Sequence, residues 1–278
     1  MHIIIDANNI AHRAKHVNGS LDDGIIFGFL NQVLTLSKIL DCPNFIFCWD
    51  SRQSYRKILY PEYKANRVKN NLTDEDFDAF QQFKRLQSEI LFSLGFKNVF
   101  MQIGYEADDL LAVIVKNFPR EYIIVSSDED LYQLLGYASI YQPIKKKIVT
   151  QGSFEREYCI TPSEWPTVKA LAGCSSDNVI GMAGVGEKTA IKFLNKTLKP
   201  GKTFDKVSSE HKSMIEKNLP LVKLPFIGPK PIQITLRDES LYEMDFIDTF
   251  TKLGFNSFLS DKKMETWIER LNLIEGRE

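Results

Sequence analysis

Ile3-Ile4-Ile5-Asp6 and Phe45-Ile46-Phe47-Cys48-Trp49-Asp50 decide the fold of this 278-residue chain. Each is a short β-branched or aromatic run that ends on a carboxylate. Between them, Ile25 to Leu40 places its apolar residues at helical spacing. The order strand (2–5), helix, strand (45–49) calls for a parallel sheet. Further along, the same grammar recurs. A short strand in 98–103 leads to Glu106-Ala107-Asp108-Asp109, and 107–117 reads as a buried helix. The run Ile123-Ile124-Val125-Ser126-Ser127-Asp128-Glu129-Asp130 takes a strand at 122–125 into acids again. A short helix from Asp130 to Leu135 and a hairpin-like pair over 138–150, with the basic tip Lys145-Lys146-Lys147, complete the α/β part. In an open parallel sheet the carboxyl ends of the strands form the ligand crevice, so these acids should meet there.

The candidates are Asp6, Asp50, Glu106, Asp108, Asp109, Asp128, Asp130 and, in Asp177-Asn178, Asp177. A single Asp after a strand is usually a turn residue or a helix cap. Five such segments in one chain point to something else. Glu106 and Asp109 lie three apart on one helix face with Asp108 beside them, and Asp128 and Asp130 alternate along an extended turn. So many anions repel unless cations separate them, and hard divalent cations prefer oxygen ligands. Two such ions ~4 Å apart would stabilise both the attacking and the leaving oxygen of an in-line displacement, the outline of metal-dependent phosphoryl transfer.

Composition is that of an ordinary globular chain, 44% hydrophobic and 26% charged, with a formal net charge of −1. Neutralising the eight acids with metal moves the remainder from −1 to +7, a surface suited to a polyanion. Cys42, Cys48, Cys159 and Cys174 form no CxxC pair and no zinc-like spacing, which suggests free thiols in a reducing compartment. No signal segment and no run of membrane length is visible, so a cytoplasmic protein with no membrane association is expected.

After Asp50 the chain turns basic. Arg52, Arg56, Lys57, Lys64, Arg67 and Lys69 face a single acid, Glu62, with Tyr55, Tyr60 and Tyr63 interleaved. This could be a solvated loop, but tyrosines among cations can stack on unpaired bases. Thr73 and Asp76 then suggest a capping box, and Phe77, Phe80, Phe83, Leu86, Ile90 and Leu94 an apolar helical stripe. Beyond about 160 short helices dominate, starting at Thr161-Pro162-Ser163-Glu164. There, Gly184-Val185-Gly186-Glu187-Lys188-Thr189-Ala190 opens a helix whose exposed amides suit a phosphate. A dinucleotide fingerprint would need a preceding strand and a third glycine where Thr189 stands. With Lys188, Lys192 and Lys196 at i+4 spacing, the stretch reads either as a plain helical joint with a solvated face or as a grip on a nucleic-acid backbone.

Taken in order, these segments resemble the 5′-nuclease family: flap endonucleases, phage 5′→3′ exonucleases and the 5′-nuclease domain of bacterial DNA polymerase I. The matching stretches are Ile5-Asp6-Ala7-Asn8-Asn9, Trp49-Asp50, Tyr60-Pro61-Glu62-Tyr63-Lys64-Ala65-Asn66-Arg67, Gly104-Tyr105-Glu106-Ala107-Asp108-Asp109, Ser127-Asp128-Glu129-Asp130, Ser176-Asp177-Asn178 and 184–190. Leu253-Gly254-Phe255-Asn256-Ser257-Phe258-Leu259 is similar to the family's closing helix.

The resemblance implies an α/β fold: a parallel-sheet, PIN-like nuclease core over 1–160 with a basic helical arch at about 50–95. Residues 161–278 would be a helical DNA-clamping region with a helix–two-turn–helix at about 170–197. It implies two Mg2+ ions, replaceable by Mn2+, with Asp6, Asp50, Glu106 and Asp108 at the first, Asp128, Asp130 and Asp177 at the second, and Asp109 nearby. Lys64, Arg67, Asp108 and Asp109 would be catalytic. Arg52, Arg56, Tyr63, Lys64, Arg67, Gly184, Gly186, Lys188, Thr189 and Lys192 would contact nucleic acid, with K+ near Gly184 and Gly186. The implied activity is a structure-specific 5′ nuclease acting in replication or repair on branched or nicked DNA with a 5′ single strand, and on RNA/DNA primers. The implied setting is a monomer in a bacterial or phage-infected cytoplasm, with a polymerase or single-strand-binding protein as partner. Where the family has Gly-Asp-x-x-Asp-Asn, this chain has Gly173-Cys174-Ser175-Ser176-Asp177-Asn178, and a soft thiol is a poor magnesium ligand. A weaker second ion is therefore expected. A junction-binding protein with little catalysis, and a PIN-like ribonuclease, are the rival readings.

Overall fold

The computed structural model describes residues 1–18, 22–67 and 73–276. Lys69 and part of the expected arch, residues 68–72, lie outside the described residues.

The chain runs β1 (His2–Asp6), α1 (Ala7–Asn18), α2 (Gly24–Leu40), β2 (Phe45–Cys48), α3 (Tyr55–Leu59), a 3-10 turn (Ala65–Arg67), and α4 (Asp74–Arg85). A π turn (Leu86–Ile90) carries α4 into α5 (Leu91–Ser93), followed by β3 (Val99–Phe100), α6 (Ala107–Asn117) and β4 (Tyr122–Val125). A 3-10 helix (Glu129–Leu134), the hairpin β5 (Ser139–Gln142) and β6 (Lys147–Val149), and α7 (Gln151–Tyr158) come next. Then follow α8 (Trp165–Ala172), the short pair β7 (Gly173–Cys174) and β8 (Val179–Ile180), α9 (Glu187–Leu194), α10 (Lys202–Val222), α11 (Glu243–Lys252) and α12 (Asp261–Leu271).

The main sheet has the order β3-β2-β1-β4-β5-β6, parallel except for β6. Strand order reverses at β1, so the crevice opens between the carboxyl ends of β1 and β4. The strands are apolar on both faces, and the period of two sorts them. Ile3, Ile5, Phe45 and Phe47 pack with α1, α2, α4, α5, α11 and α12. Ile4, Ile46, Cys48 and Ile124 face the opposite way, onto α6, α8 and residues of α7, α9 and α10. The helices after 161 are thus divided between the two faces of one sheet. Among the described residues no helix is long and apolar enough to cross a membrane.

Three expectations need correction. Leu253–Leu259 is a turn between α11 and α12: Gly254 at φ +68 ends α11, and the Phe255 amide bonds back to the Phe250 carbonyl (2.9 Å). The stripe of α4 does not begin at Phe77 or Phe80, which are 57% and 44% exposed. Its inward face carries Ala79 and Gln82 instead, because Gln82 Oε1 accepts from the Ile25 and Ile26 amides (2.9 and 3.2 Å) at the start of α2, where Asp23 provides no side-chain cap. The expected Leu86, Ile90 and Leu94 are buried beyond the helix. Thr73 and Asp76 do form the expected capping box. Finally, α9 ends at Leu194, so Lys196 (φ +57) lies past the helix and the lysine row stops at Lys192.

Candidate metal centre and nucleic-acid interface

The crevice is built from the strand ends. Asp6 closes β1, its Oδ1 accepting from the Asn9 amide (3.0 Å) and its Oδ2 from Ser126 Oγ (2.9 Å), just beyond β4. Asp50 follows β2 by two residues, and its Oδ1 accepts from the Ala107 amide (2.8 Å), the first residue of α6. Asn8 holds the Asp50 amide in turn (2.8 Å). Asp108 sits in the first turn of α6, and Asp128 caps the 3-10 helix through the Asp130 amide (2.8 Å).

These four acids are short of positive charge. Desolvation and the Asp50 charge push Asp6 up to about 7. Desolvation and Asp130 push Asp128 up to about 6. Asp108 is raised by desolvation and then by Asp128, Asp6 and Asp50, and Asp50 by desolvation with Glu106 adding repulsion. Among the described residues none of the four lies within 4.0 Å of a Lys or Arg nitrogen. Ser127 Oγ and Asn9 Oδ1, adjacent to this group, are buried oxygens with no hydrogen-bond partner. An all-oxygen donor set with uncompensated charge fits a hard divalent cation.

The remaining acids are compensated. Glu106 Oε2 accepts from Lys64 Nζ (2.9 Å) and lies 3.0 Å from Tyr63 Oη and 3.4 Å from Arg56 Nη1. Burial would raise its pKa, but Lys64 and Arg56 hold it below the ordinary value. Asp130, Cys174 and Asp177 bring one ligand atom each within 4.8 Å of one another, the one such trio of His, Cys, Asp or Glu among the described residues. Each of its two acids already has a cation. Lys169 reaches Asp130 at 2.9 Å, and Arg67 reaches Asp177 at 2.6 Å. Cys174 Sγ lies 3.7 Å from Asp130 Oδ2, and burial followed by the Asp130 charge keeps its thiol pKa raised, hence protonated. The Cys174 turn is pinned by Gly173 (φ +81) and Gly181, where a Cβ would come within 2.6 Å of facing backbone.

The basic segment docks on this turn rather than standing clear of it. The Lys64 amide bonds the Asp177 carbonyl (2.8 Å), with Lys64 at φ +53. Asn66 Nδ2 bonds the Ser175 carbonyl and Arg67 Nε the Ser176 carbonyl (2.9 Å each). Asn178 Nδ2 returns a bond to the Glu62 carbonyl (2.7 Å).

Three sequence assignments change here. Asp109, expected at the metal, is fully buried. It pairs bidentately with Arg56 (2.7 and 2.8 Å) and also accepts from the Phe226 and Glu106 amides. Arg56, expected on nucleic acid, is 2% exposed, with its Nε on the Leu221 carbonyl (3.0 Å). Tyr63, expected to stack on bases, is 4% exposed, its hydroxyl placed between Glu106 and Asp177 (3.0 and 3.1 Å). Arg52 and Arg67 remain exposed, with the Arg52 guanidinium 4.3 Å from the centre of the Phe80 ring. Gly184 (φ +80) and Gly186 are exposed, Gly186 is the N-cap of α9, and Lys188 and Lys192 project outward with Thr189 half-buried between them. Lys169 and Ser126 were not singled out from sequence. Lys169 has no local signal, whereas Ser126 sits in the quoted acid-bearing run.

Residues 1–159 match the family model of the 5′-3′ exonuclease, N-terminal resolvase-like domain. A 5′-3′ exonuclease of Mycoplasmopsis pulmonis is 31% identical over 217 residues, 74% of this chain and 70% of the relative. A DNA polymerase I of Mycobacterium bovis is 31% identical over 69% of this chain, which spans only 22% of that relative. In fold, the chain is similar to a bacteriophage T5 flap endonuclease solved as a pseudo-enzyme-product complex with DNA and metal ions: TM-score 0.68, 22% identity, covering 98% of this chain and 99% of the other.

Proposed function

Since the chain belongs to the 5′-3′ exonuclease family, we propose that it is a structure-specific 5′ nuclease that hydrolyses DNA phosphodiesters at junctions between single strand and duplex. The observation that carries this reading is the crevice itself. Acids from the ends of β1, β2 and β4 and the start of α6 repel one another without a salt-bridged cation among the described residues. Lys64 on Glu106 is close enough to temper Asp50 and Asp108, and Arg67 sits on the neighbouring Asp177.

Asp6, Asp50 and Asp108 would hold a divalent ion, for which Mg2+ is the natural choice and Mn2+ a substitute. We add Asp128, expected at the second ion, to this set and leave out the expected Glu106, whose charge Lys64 and Arg56 already meet. Asp130 and Asp177, with Cys174 between them, would hold a second ion less firmly. When bound, such ions supply charge neutralisation at the scissile phosphate and activation of water. The chain's own residues do the rest. Lys64 and Arg67 bring positive charge to where the transition state gains negative charge. Ser126 and the Asn9 and Ala107 amides fix the orientation of the Asp6 and Asp50 carboxylates, and Asn8 holds the Asp50 backbone amide. Gly184 to Gly186, Lys188, Thr189 and Lys192 grip duplex phosphates without reading bases. Arg52 on Phe80 offers a stacking face for the unpaired strand. A K+ ion at Gly184 and Gly186 rests on resemblance, and the neighbouring Ala183 carbonyl already accepts from Lys206 Nζ (2.9 Å).

The second reading, a junction binder with weak catalysis, is favoured by the thiol and the two ion pairs at the second position. A 5′-labelled flap duplex with magnesium separates them. The parent should cleave near the junction, and Asp108→Asn should be roughly 10²–10³-fold slower while still binding DNA. Tight binding by the parent with no cleavage sinks the nuclease reading, and equal cleavage of unstructured RNA points to a ribonuclease.

A further inference from the structure

The second metal position has a protein cation of unusual placement. Lys169 leaves α8 over the Trp165 ring (Nζ 5.4 Å from its centre) and is only 11% exposed. Its ammonium lies 2.9 Å from Asp130 Oδ1 and 2.9 Å from Glu187 Oε1. Asp130 belongs to the trio that could hold an ion, whereas Glu187 is the first residue of α9, directly after the Gly184–Gly186 turn. One side chain therefore joins the acid crevice to the duplex grip. The trio is also one carboxylate short because Cys174 stands among its members. An ammonium and a divalent ion cannot both sit at full strength on Asp130, since like charges at that distance repel.

We propose that Lys169 is a displaceable counter-cation for the second metal position, holding Asp130 until a divalent ion arrives and then resting on Glu187 alone. This deepens the nuclease reading and depends on it only for what the ion is used for. The geometry makes the exchange inexpensive. A nearly buried ammonium stripped of its partner would be strongly destabilised, but Lys169 already has its second acceptor at 2.9 Å and needs no rearrangement to reach it. The ion's arrival would then tighten the Lys169–Glu187 pair. The acid crevice and the start of α9 become coupled, and the coupling is reciprocal: fixing α9 on a duplex would favour the ion. Lys169 is a positioning residue in this scheme, acting through Asp130.

The test is a Mn2+ titration of the whole, DNA-free chain, read by the electron-spin signal of free Mn2+. The parent should show one tight ion and one weaker ion. Lys169→Gln should tighten the weaker ion roughly tenfold and leave the first unchanged, while Lys169→Arg should stay close to the parent. Glu187→Gln, which removes the alternative acceptor, should weaken the second ion by a similar factor and provides the test if the lysine variant fails to fold. A second ion unchanged or weakened in a folded Lys169→Gln, or unchanged in Glu187→Gln, overturns the proposal. Flap cleavage by the same parent preparation separates the two readings. Mn2+ shifts without cleavage remove the nuclease function and leave the counter-cation standing, and cleavage without the shifts does the reverse.

Discussion

Two groups of acids share one crevice and are held in opposite ways. Asp6, Asp50 and Asp128 have carboxylate oxygens fixed by amides and a serine hydroxyl. With Asp108 they have, among the described residues, no Lys or Arg nitrogen within 4.0 Å, and all four have raised pKa values. Asp130 and Asp177, on the 165–178 side, are each paired with a protein cation. Asp109 is the limit of the second kind, neutralised by Arg56 and removed from solvent. A charge-deficient group has something to gain from any divalent ion. A charge-satisfied group must exchange one cation for another. Carboxylate count, four against two, already separates the two positions; the surrounding cations widen the gap.

The most severe way to break this contrast is to strip a compensated acid. Arg56→Ala leaves Asp109 buried without its partner and should cost about 3–5 kcal/mol, visible as a large drop in denaturant midpoint. If instead the variant is as stable as the parent and only DNA affinity falls, Arg56 is a nucleic-acid contact after all. Cys174→Asp should make the second position resemble the first, lowering the magnesium concentration for half-maximal cleavage roughly tenfold; superimposable titration curves would end the idea that the thiol weakens that position. Acidity gives a milder probe. Asp6 and Asp128 hold protons up to about 7 and about 6 in the folded chain, against an ordinary value of 3.8. Between those values the folded state binds more protons, so metal-free chain should gain stability as pH falls from 8 towards 6 and lose it as pH rises. Melting curves in chelator should shift by a few degrees, and saturating Mn2+ should flatten or reverse the trend. A rise in metal-free melting temperature with pH would contradict the charge deficit. The smallest effect should come from Lys192→Ala at the duplex grip: a uniform, several-fold weakening across DNA sequences and a salt slope lower by about 1.

Much of the crevice was legible because its signals are local. A β-like run ending on Asp6, Asp50 or Asp128 announces both the strand and the side on which the acid emerges. The capping box at Thr73 is equally local. Arg56 and Tyr63 were misassigned because a basic, aromatic run does not tell which side chains turn inward. That is settled by Asp109, Glu106 and the carbonyl of Leu221, all distant in sequence. For Asp109 the signal was present and outweighed: Glu106-x-x-Asp109 has the capping-box interval, and the structure uses it. Helix α1 gave little warning, since its buried apolar positions, Ala7, Ile10, Ala11 and Ala14, are mostly alanines scattered among polar residues, and Val17 is exposed. Lys169 looked like any helical lysine because its partners come from residues 130 and 187.

The docking of 60–67 on 175–178 also has a mechanical consequence. Hydrogen bonds and ion pairs from Tyr63, Lys64, Asn66, Arg67 and Asn178 lace the two segments together. Tension on a strand held by Arg67 would be delivered straight to the backbone of Ser175 and Ser176, one and two residues from Cys174. The base of the basic segment and the floor of the second ion position therefore bear load as a single part. Whatever pulls on one adjusts the spacing of the other.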